Sequence, residues 1–483
     1  MIFSTLILNQ DTPIYEQIEN HIEKAVKAGA LIKDSKLPST REASSVLRIS
    51  RNTVLTAYEN LESRGIIYSI KGKGSFVKEE AKNDWQEVNI KWKQRINSYG
   101  QTCEQMDIIK TEPHYEKGMI SFKSIAPEGN LFDVEEFKRA FLDVMALEGE
   151  KLLNYGYAKG YRGLIEYLMN YMEGKGVGGS KKDILITNGF TEGLDLILST
   201  YTQPGDVIVC ESPTHHTTLK MMKAYGLQVV GVPMDEQGIL PEELEATIIK
   251  HRPKWVYLTP SYQNPTGIVM SGERRRMVYG ILSDYHTPCI EDGFNEELLY
   301  SSSHIMPLMA LTGESNHIIY IGSLSKILFP GLRLGWIMAD SACIDTLESV
   351  KRAKTIHTSF VDQAVFVQYM KSGAFERYVK KAKKYYREKY LYTVEQIKEY
   401  IPYEKLWGEG GLHIFIELNH KIDTRELLKQ CYRRGVLFMP GDIFEPSMKV
   451  TSSLRIGFAR LKKEEISKGL KIIGEEISKN IIP

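Results

Sequence analysis

The chain of 483 residues has only five cysteines, and none stands near another. Cys103, Cys210, Cys289, Cys343 and Cys431 make no CxxC pair and join no histidine cluster. That pattern excludes a zinc-ligand set and a disulfide framework, and it fits a reducing cytoplasm. No stretch approaches the ~20 uncharged residues of a membrane span. The apolar start, Ile2 to Leu8, has no basic residue before it and no small-residue cleavage pattern after it, so it predicts a short strand rather than a signal peptide. Internal repeats and low-complexity tracts are missing too. A net charge of +1 excludes a polycation. What is present is an apolar fraction of 42%, enough for a full core. At ~150 residues per domain the length suggests about three units.

Charge is less even near the N-terminus. Lys36 to Lys78 holds eight lysines and arginines against three acids. Such a surplus suits a phosphate-contacting face. Ile14, Ile18, Ile22 and Val26 recur at helical spacing, which predicts a helix over 11–28. Ser39 or Thr40 can cap a second helix ending near Leu47, and Ser50 a third that Gly65 stops. Ile66–Ile70 and Ser75–Val77 flank Lys71-Gly72-Lys73-Gly74, a hairpin with a basic tip. Three helices and a hairpin make a winged helix-turn-helix over 1–78. Arg51 and Asn52, with Ser50 and Thr53 beside them, would meet base edges in the major groove of double-stranded DNA. Arg41 and the second helix's start at Ser39-Thr40 would hold a phosphate, and Lys71 and Lys73 the neighbouring backbone or minor groove.

Leu37-Pro38-Ser39-Thr40-Arg41-Glu42, Ser50-Arg51-Asn52-Thr53-Val54, Ala57-Tyr58, Leu61, Gly65 and Gly72-Lys73-Gly74-Ser75-Phe76-Val77 resemble the GntR family of bacterial regulators. Residues 79–118 read as an inter-domain linker. Within it Trp85, Val88, Trp92 and Ile96 have helical spacing and predict a docked helix. From about 119 short apolar strands alternate with helices, the pattern of an α/β domain with a mainly parallel sheet over 119–483. A small C-terminal α+β subdomain is expected over about 350–483, opening with long charged helices.

Four motifs fall at strand ends, where ligand chemistry collects in such sheets. Together they supply what a pyridoxal 5′-phosphate pocket needs. The Lys326 amine, in Ser323-Leu324-Ser325-Lys326, can form a Schiff base. Asp292, ending the strand Cys289–Ile290, can pair with the pyridinium nitrogen. Asn264, in Asn264-Pro265-Thr266-Gly267, can donate to the ring oxygen O3′. Ser323, Ser325, Arg333 and the Gly189-Phe190-Thr191 turn can cradle the phosphate.

In this order the motifs resemble the fold-type I pyridoxal phosphate enzymes of the aspartate aminotransferase class. With the N-terminal unit, the chain resembles the MocR/GabR-type regulators over about 10–78 and 119–480. That resemblance implies Lys326 as the catalytic, Schiff-base lysine. It implies Tyr155 as a ligand to the partner subunit's phosphate, although an ordinary core or interface tyrosine would read the same. It implies Arg455 as a bidentate ligand to a substrate or effector carboxylate. Two positions depart from the family. The usual Asp-x-Tyr reads Asp292-Gly293-Phe294, and the ring-stacking aromatic of Glu-x-Pro-x-Tyr is His215.

The function implied is a pyridoxal phosphate-dependent transcriptional regulator. It would be a cytoplasmic homodimer that binds an operator and senses an amino acid, a related amine or the cofactor itself. An active aminotransferase with an accessory DNA-binding domain fits the same residues. A bare dimeriser with an empty pocket would not have kept Lys326, Asp292, Asn264 and Arg333. No metal site is expected.

Overall fold

The computed structural model describes residues 2–78, 89–111, 113–293, 300, 305–324 and 328–480, and the chain divides into Met1–Arg95 and Ile96–Pro483. Ser325, Lys326 and Phe294 lie outside the described residues, as do Trp85 and Val88.

The first unit has the expected order: α1 (Ile14–Lys27), α2 (Thr40–Leu47), α3 (Arg51–Ser63) and a hairpin of β1 (Ile67–Ile70) with β2 (Gly74–Val77). α1 buries Ile18, Ile22 and Val26 against Val54, Ala57, Tyr58 and Leu61 of α3. The helix starts are fixed by their own side chains. Ser39 Oγ accepts from Glu42 N at 3.2 Å, and Glu42 Oε2 accepts from Ser39 N at 2.8 Å, a reciprocal cap. Ser50 Oγ accepts from Asn52 N at 3.2 Å. The strand expected over Ile2–Leu8 is instead a 3-10 turn, Ile2–Thr5. Lys36 already bridges the hairpin at Phe76, and Phe3 buries itself among the helices, so the segment packs by its side chain rather than by a ladder.

The helix expected around Trp92 and Ile96 does not form in the described part. Trp92–Gln94 is a single 3-10 turn, and Trp92 is 71% exposed, so it has no face to dock. The later part of the expected linker is ordered. α4 (Ser98–Gln105) is capped by Asn97 and packs on the helix His216–Ala224, with Tyr99 edge-on to Tyr225; α5 (Ile108–Thr111) follows.

The strand β3 (Ile120–Ser121) precedes the large sheet of the second unit. That sheet comprises β4 (Lys182–Thr187), β5 (Val207–Ser212), β6 (Gln228–Asp235), β7 (Gly238–Ile239), β8 (Trp255–Leu258), β9 (Cys289–Gly293), β10 (Ile318–Ser323) and β11 (Gly335–Asp340). Their spatial order is β4-β11-β10-β9-β8-β5-β6-β7. β10, β9, β8, β5 and β6 form a parallel run, while β11 and β7 are antiparallel to their neighbours. In β8 all four residues are buried. Val256 and Leu258 face one core, Trp255 and Tyr257 the other. Burial on both faces is why these strands read as unbroken apolar runs.

A second, four-stranded sheet of β12 (Tyr403–Trp407), β13 (His413–Leu418), β15 (Met439–Pro440) and β16 (Ser453–Gly457) forms the smaller subdomain. β14 (Val436–Leu437) pairs in parallel with β3, so the start of the second unit is tied to its end. The helix Phe360–Lys371 does not belong with this subdomain, contrary to the boundary near 350. Val365, Phe366, Tyr369 and Met370 are buried in the core of the large sheet. The helix Ala374–Tyr400 then joins both cores, with Phe375 and Tyr386 in the first and Ile397 in the second.

Candidate functional site

β9 and β10 deliver Asp292 and Ser323 to the same end of the sheet, because the two strands pair in parallel with Asp292 opposite Ile321. There they line a cavity of about 380 Å³. Thr191, Phe190, His215, Arg333 and Arg455 share its wall. Residues from well-separated stretches of sequence thus line one cavity. Lys326 and Ser325 lie outside the described residues, next to Ser323 in sequence.

Asp292 is buried, and its Oδ2 accepts from the Tyr257 hydroxyl at 2.7 Å. Burial, then the charge of Asp292, pushes Tyr257 well above the ordinary phenol range, so it remains a proton donor. The Tyr257 oxygen in turn accepts from Thr259 at 3.3 Å and Thr218 at 3.4 Å. Thr218 also meets His215 Nδ1 at 3.2 Å. A hydrogen-bonded chain therefore connects the histidine at the expected ring-stacking position to the carboxylate. Behind them Glu211 is fully enclosed, and burial pushes its carboxyl up to about 8 despite bonds from Thr259 N and Gln263. At neutral pH Glu211 is mostly protonated.

Arg455, on β16, is only 2% exposed. Its Nη1 donates to Asn264 Oδ1 at 2.8 Å and its Nη2 to the Lys123 carbonyl at 3.1 Å; the guanidinium carbon lies 5.0 Å from the centre of the Phe444 ring. Burial pushes the group down to about 9, so an anion here would relieve a desolvated charge. Arg455 Nε and Asn264 Nδ2 are buried with no partner among the described residues. Unpaired buried donors are costly, about 1–3 kcal/mol each.

At the other end of the cavity, Gly189 precedes the helix Phe190–Tyr201 with a φ of 82°. A Cβ there would come within 3.0 Å of Arg333 Nη2. Arg333 itself has a φ of 51° and donates from Nη2 to Asn188 O at 2.8 Å. A bare helix start, a threonine at its first turn and a guanidinium beside it form an anion cradle. The donor set thus fits pyridoxal phosphate at three points: pyridine nitrogen, ring oxygen and phosphate.

Tyr155 does not reach the cavity of its own chain. It is 85% exposed, with its ring 6.1 Å from that of His357. Sequence reading missed Tyr257, hidden as one aromatic in an apolar strand, and Glu211, noted only as part of a motif. It also missed Ile108 on α5, which lines the cavity from a segment expected to be linker. Among the described residues no cluster of His, Cys, Asp and Glu could hold a metal.

In the first unit, Ser39, Thr40, Arg41, Ser50, Arg51, Asn52 and Thr53 gather where α2 and α3 begin. Arg51 Nε donates to Thr40 Oγ1 at 3.1 Å, linking the two helix starts. Arg41, Arg51 and Asn52 are exposed, and Lys71 and Lys73 are exposed at the hairpin tip. The surface presents cations and amides, the chemistry of phosphate and base-edge contact.

Residues 120–473 match the family described as aminotransferase class I and II, and residues 14–77 match the bacterial regulatory proteins of the gntR family. The chain is 27% identical to the uncharacterized HTH-type transcriptional regulator YdfD of Bacillus subtilis (strain 168), over 96% of each protein. It is 31% identical to aromatic-amino-acid aminotransferase 1 of Thermococcus litoralis, over 75% of this chain and 89% of that one. Among solved structures, the α-aminoadipate aminotransferase LysN of Thermus thermophilus, complexed with N-(5′-phosphopyridoxyl)-L-leucine, matches with a TM-score of 0.74. There the identity is 25%, over 81% of this chain and 99% of that one. No helix among the described residues is long and apolar enough to cross a membrane.

Proposed function

We propose, on the premise that this chain belongs to the aminotransferase class I and II family and bears a gntR-family DNA-binding domain, that its second unit senses an amino compound and thereby controls the grip of the first on its operator. The fusion is a DNA-binding regulator, and pyridoxal phosphate is the cofactor of its second unit. When bound, that cofactor supplies an aldehyde that captures primary amines. Lys326 is the amine that would hold it covalently. Asp292, steadied by Tyr257, would face the pyridine nitrogen. Asn264 Nδ2 would donate to the ring oxygen, and Thr191, Ser323, Ser325 and Arg333 would take the phosphate.

The observation that carries the sensing role is the buried pair Arg455 and Asn264, each with an unpartnered donor. Arg455 belongs to the small subdomain and Asn264 to a loop of the large one. A carboxylate arriving between them would draw on both, so occupancy is coupled to the setting of one subdomain against the other. An amino acid or another carboxylate-bearing amine fits this arrangement. Exposed Tyr155 supports a homodimer in which it serves the neighbouring pocket. A cytoplasmic location suits both DNA and five free cysteines.

The test is to titrate the cofactor-loaded protein with a panel of amines and amino acids. The visible absorbance and the affinity for operator DNA are followed together. A sensor changes both at the same concentration. Spectral change and steady keto-acid turnover at ~1 per second or faster, without change in DNA affinity, would instead favour the aminotransferase reading. His215 and Phe294, in place of the usual aromatic and phenol, favour the sensor.

A further inference from the structure

The far side of the large sheet holds a feature that the cofactor pocket does not use. At the amino ends of the parallel strands lies a cavity of about 580 Å³, lined by Tyr201, Trp255, His286, Asn316, His317 and Cys343 among others. A second cavity of about 480 Å³ shares Tyr201, Trp255 and Pro288 with it and extends to Arg252 and Lys254. The two make one groove. Trp255 and Tyr201 stand at its middle, their ring centroids 6.1 Å apart and tilted by 52°.

Two groups in its walls are incomplete. Trp255 is 7% exposed, and its Nε1 is buried with no acceptor among the described residues. His317 Nε2 is buried with no partner there either. An indole N–H can only donate, and leaving it unpaired in a protein interior is uncommon. Burial, together with Lys182 and His286, pushes the His317 imidazole below its ordinary range, so it is neutral and can give or take one hydrogen bond. At the other end Arg252 and Lys254 are exposed and make no ion pair among the described residues. The acid beside them, Asp206, already accepts from Gln203 N at 2.9 Å.

We propose that this groove is a second ligand site, one that takes a hydroxylated planar aromatic acid. The ring would lie against Tyr201 and Trp255, its hydroxyl would serve Trp255 Nε1 and His317 Nε2, and its carboxylate would reach Lys254 and Arg252. The floor is the first rung of the sheet, where Cys289 N donates to His317 O at 2.8 Å and Lys254 N to Val207 O at 2.8 Å. β9 and β10 run from this floor to Asp292 and Ser323. The site therefore lies across the sheet from the cofactor cavity and shares no lining residue with it.

The test uses the full chain saturated with pyridoxal phosphate and 6-hydroxy-2-naphthoate as the probe, followed by calorimetry. One saturable site per chain is expected. Lys254→Glu, an exposed change, should weaken it by about tenfold or more, as loss of a charged hydrogen bond does. Trp255→Phe keeps a ring and deletes only the N–H, and should weaken it by about threefold to tenfold. Arg455→Ala, in the other cavity, should leave it unchanged. Absence of saturable binding, or binding that Arg455→Ala removes and Lys254→Glu spares, would overturn the proposal. Neither result bears on the cofactor reading, which is tested by the visible band alone.

Discussion

In the first unit the charged and amide residues offered to DNA are exposed, sit at the starts of two consecutive helices and a hairpin tip, and are held by caps a few residues away. In the second, the residues offered to the effector carboxylate and the cofactor ring, Arg455, Asn264 and Asp292, are buried, and their contacts span large distances in sequence: Arg455 to Asn264, Arg455 to Lys123, Asp292 to Tyr257. The first surface needs only water-exposed charge on a stable small core. The second carries buried donors with no partner among the described residues, a cost that an acceptor arriving there removes. A site of the first kind should tolerate substitution with graded losses. A site of the second kind should fail in large steps.

The largest step is expected at Lys326→Ala. It should abolish the covalent attachment of cofactor, read as loss of the visible band, and the effector response, while operator affinity stays within about twofold. Equal loss of DNA binding would break the contrast between the two units. Next comes Arg455→Ala. Removing a buried charged hydrogen-bond partner of a carboxylate should raise the dissociation constant for a carboxylate-bearing effector ~10–100-fold, measured by spectral titration. Amines without a carboxylate should lose far less, and Arg455→Lys should recover little because an ammonium cannot serve Asn264 and a carboxylate in one plane.

Buried Glu211 gives the contrast a pH dependence. Its folded value of about 8 stands above its ordinary 4.5, so between those limits the folded state holds a proton that the unfolded state has lost. Stability from this group is complete below pH 4.5 and is lost as pH rises through about 8. The unfolding transition of the second unit should weaken over that range by roughly a few kcal/mol. Glu211→Gln, which preserves both hydrogen-bond partners in shape, should flatten the profile. An unchanged slope would mean that Glu211 is not the proton-holding group.

How much of this was legible in sequence follows the same division. The helices, caps and wing of the first unit came from local signals, and Ser39 and Ser50 cap as read. The strands of the large sheet came from their apolar runs. What local signals could not supply were cross-chain facts. Nothing near Ile2–Leu8 tells that Lys36 already occupies the hairpin edge. Nothing in Phe360–Lys371 says which core it enters, though its apolar residues, spread round the helix rather than gathered in one stripe, mark it as buried rather than peripheral. The helical spacing at Trp92 and Ile96 misled because Trp92 meets no apolar surface among the described residues, whereas polar α4 is held by a helix more than a hundred residues away. Tyr257 was invisible because a strand buried on both faces hides its polar atom among apolar neighbours.

The smallest effects belong to the first unit. Arg51→Ala should weaken operator binding by about tenfold, the range for one base-edge contact. Lys71→Ala and Lys73→Ala should each lower affinity uniformly across sequences and reduce the salt slope by about one. Ser39→Ala is smaller still, and it discriminates best. It deletes the acceptor for Glu42 N and leaves the charged and amide DNA-facing residues Arg41, Arg51 and Asn52 in place. The expected loss is ~1 kcal/mol of stability in the first unit, seen as earlier thermal unfolding of residues 2–78, with the visible band of the second unit unmoved. Its effect on DNA affinity should be no more than severalfold, because α2 remains tied to α3 through Thr40 and Arg51. A loss as deep as that of Arg51→Ala would mean that the exposed surface is held by a single cap, and that the first unit fails in steps as abrupt as those of the buried pocket.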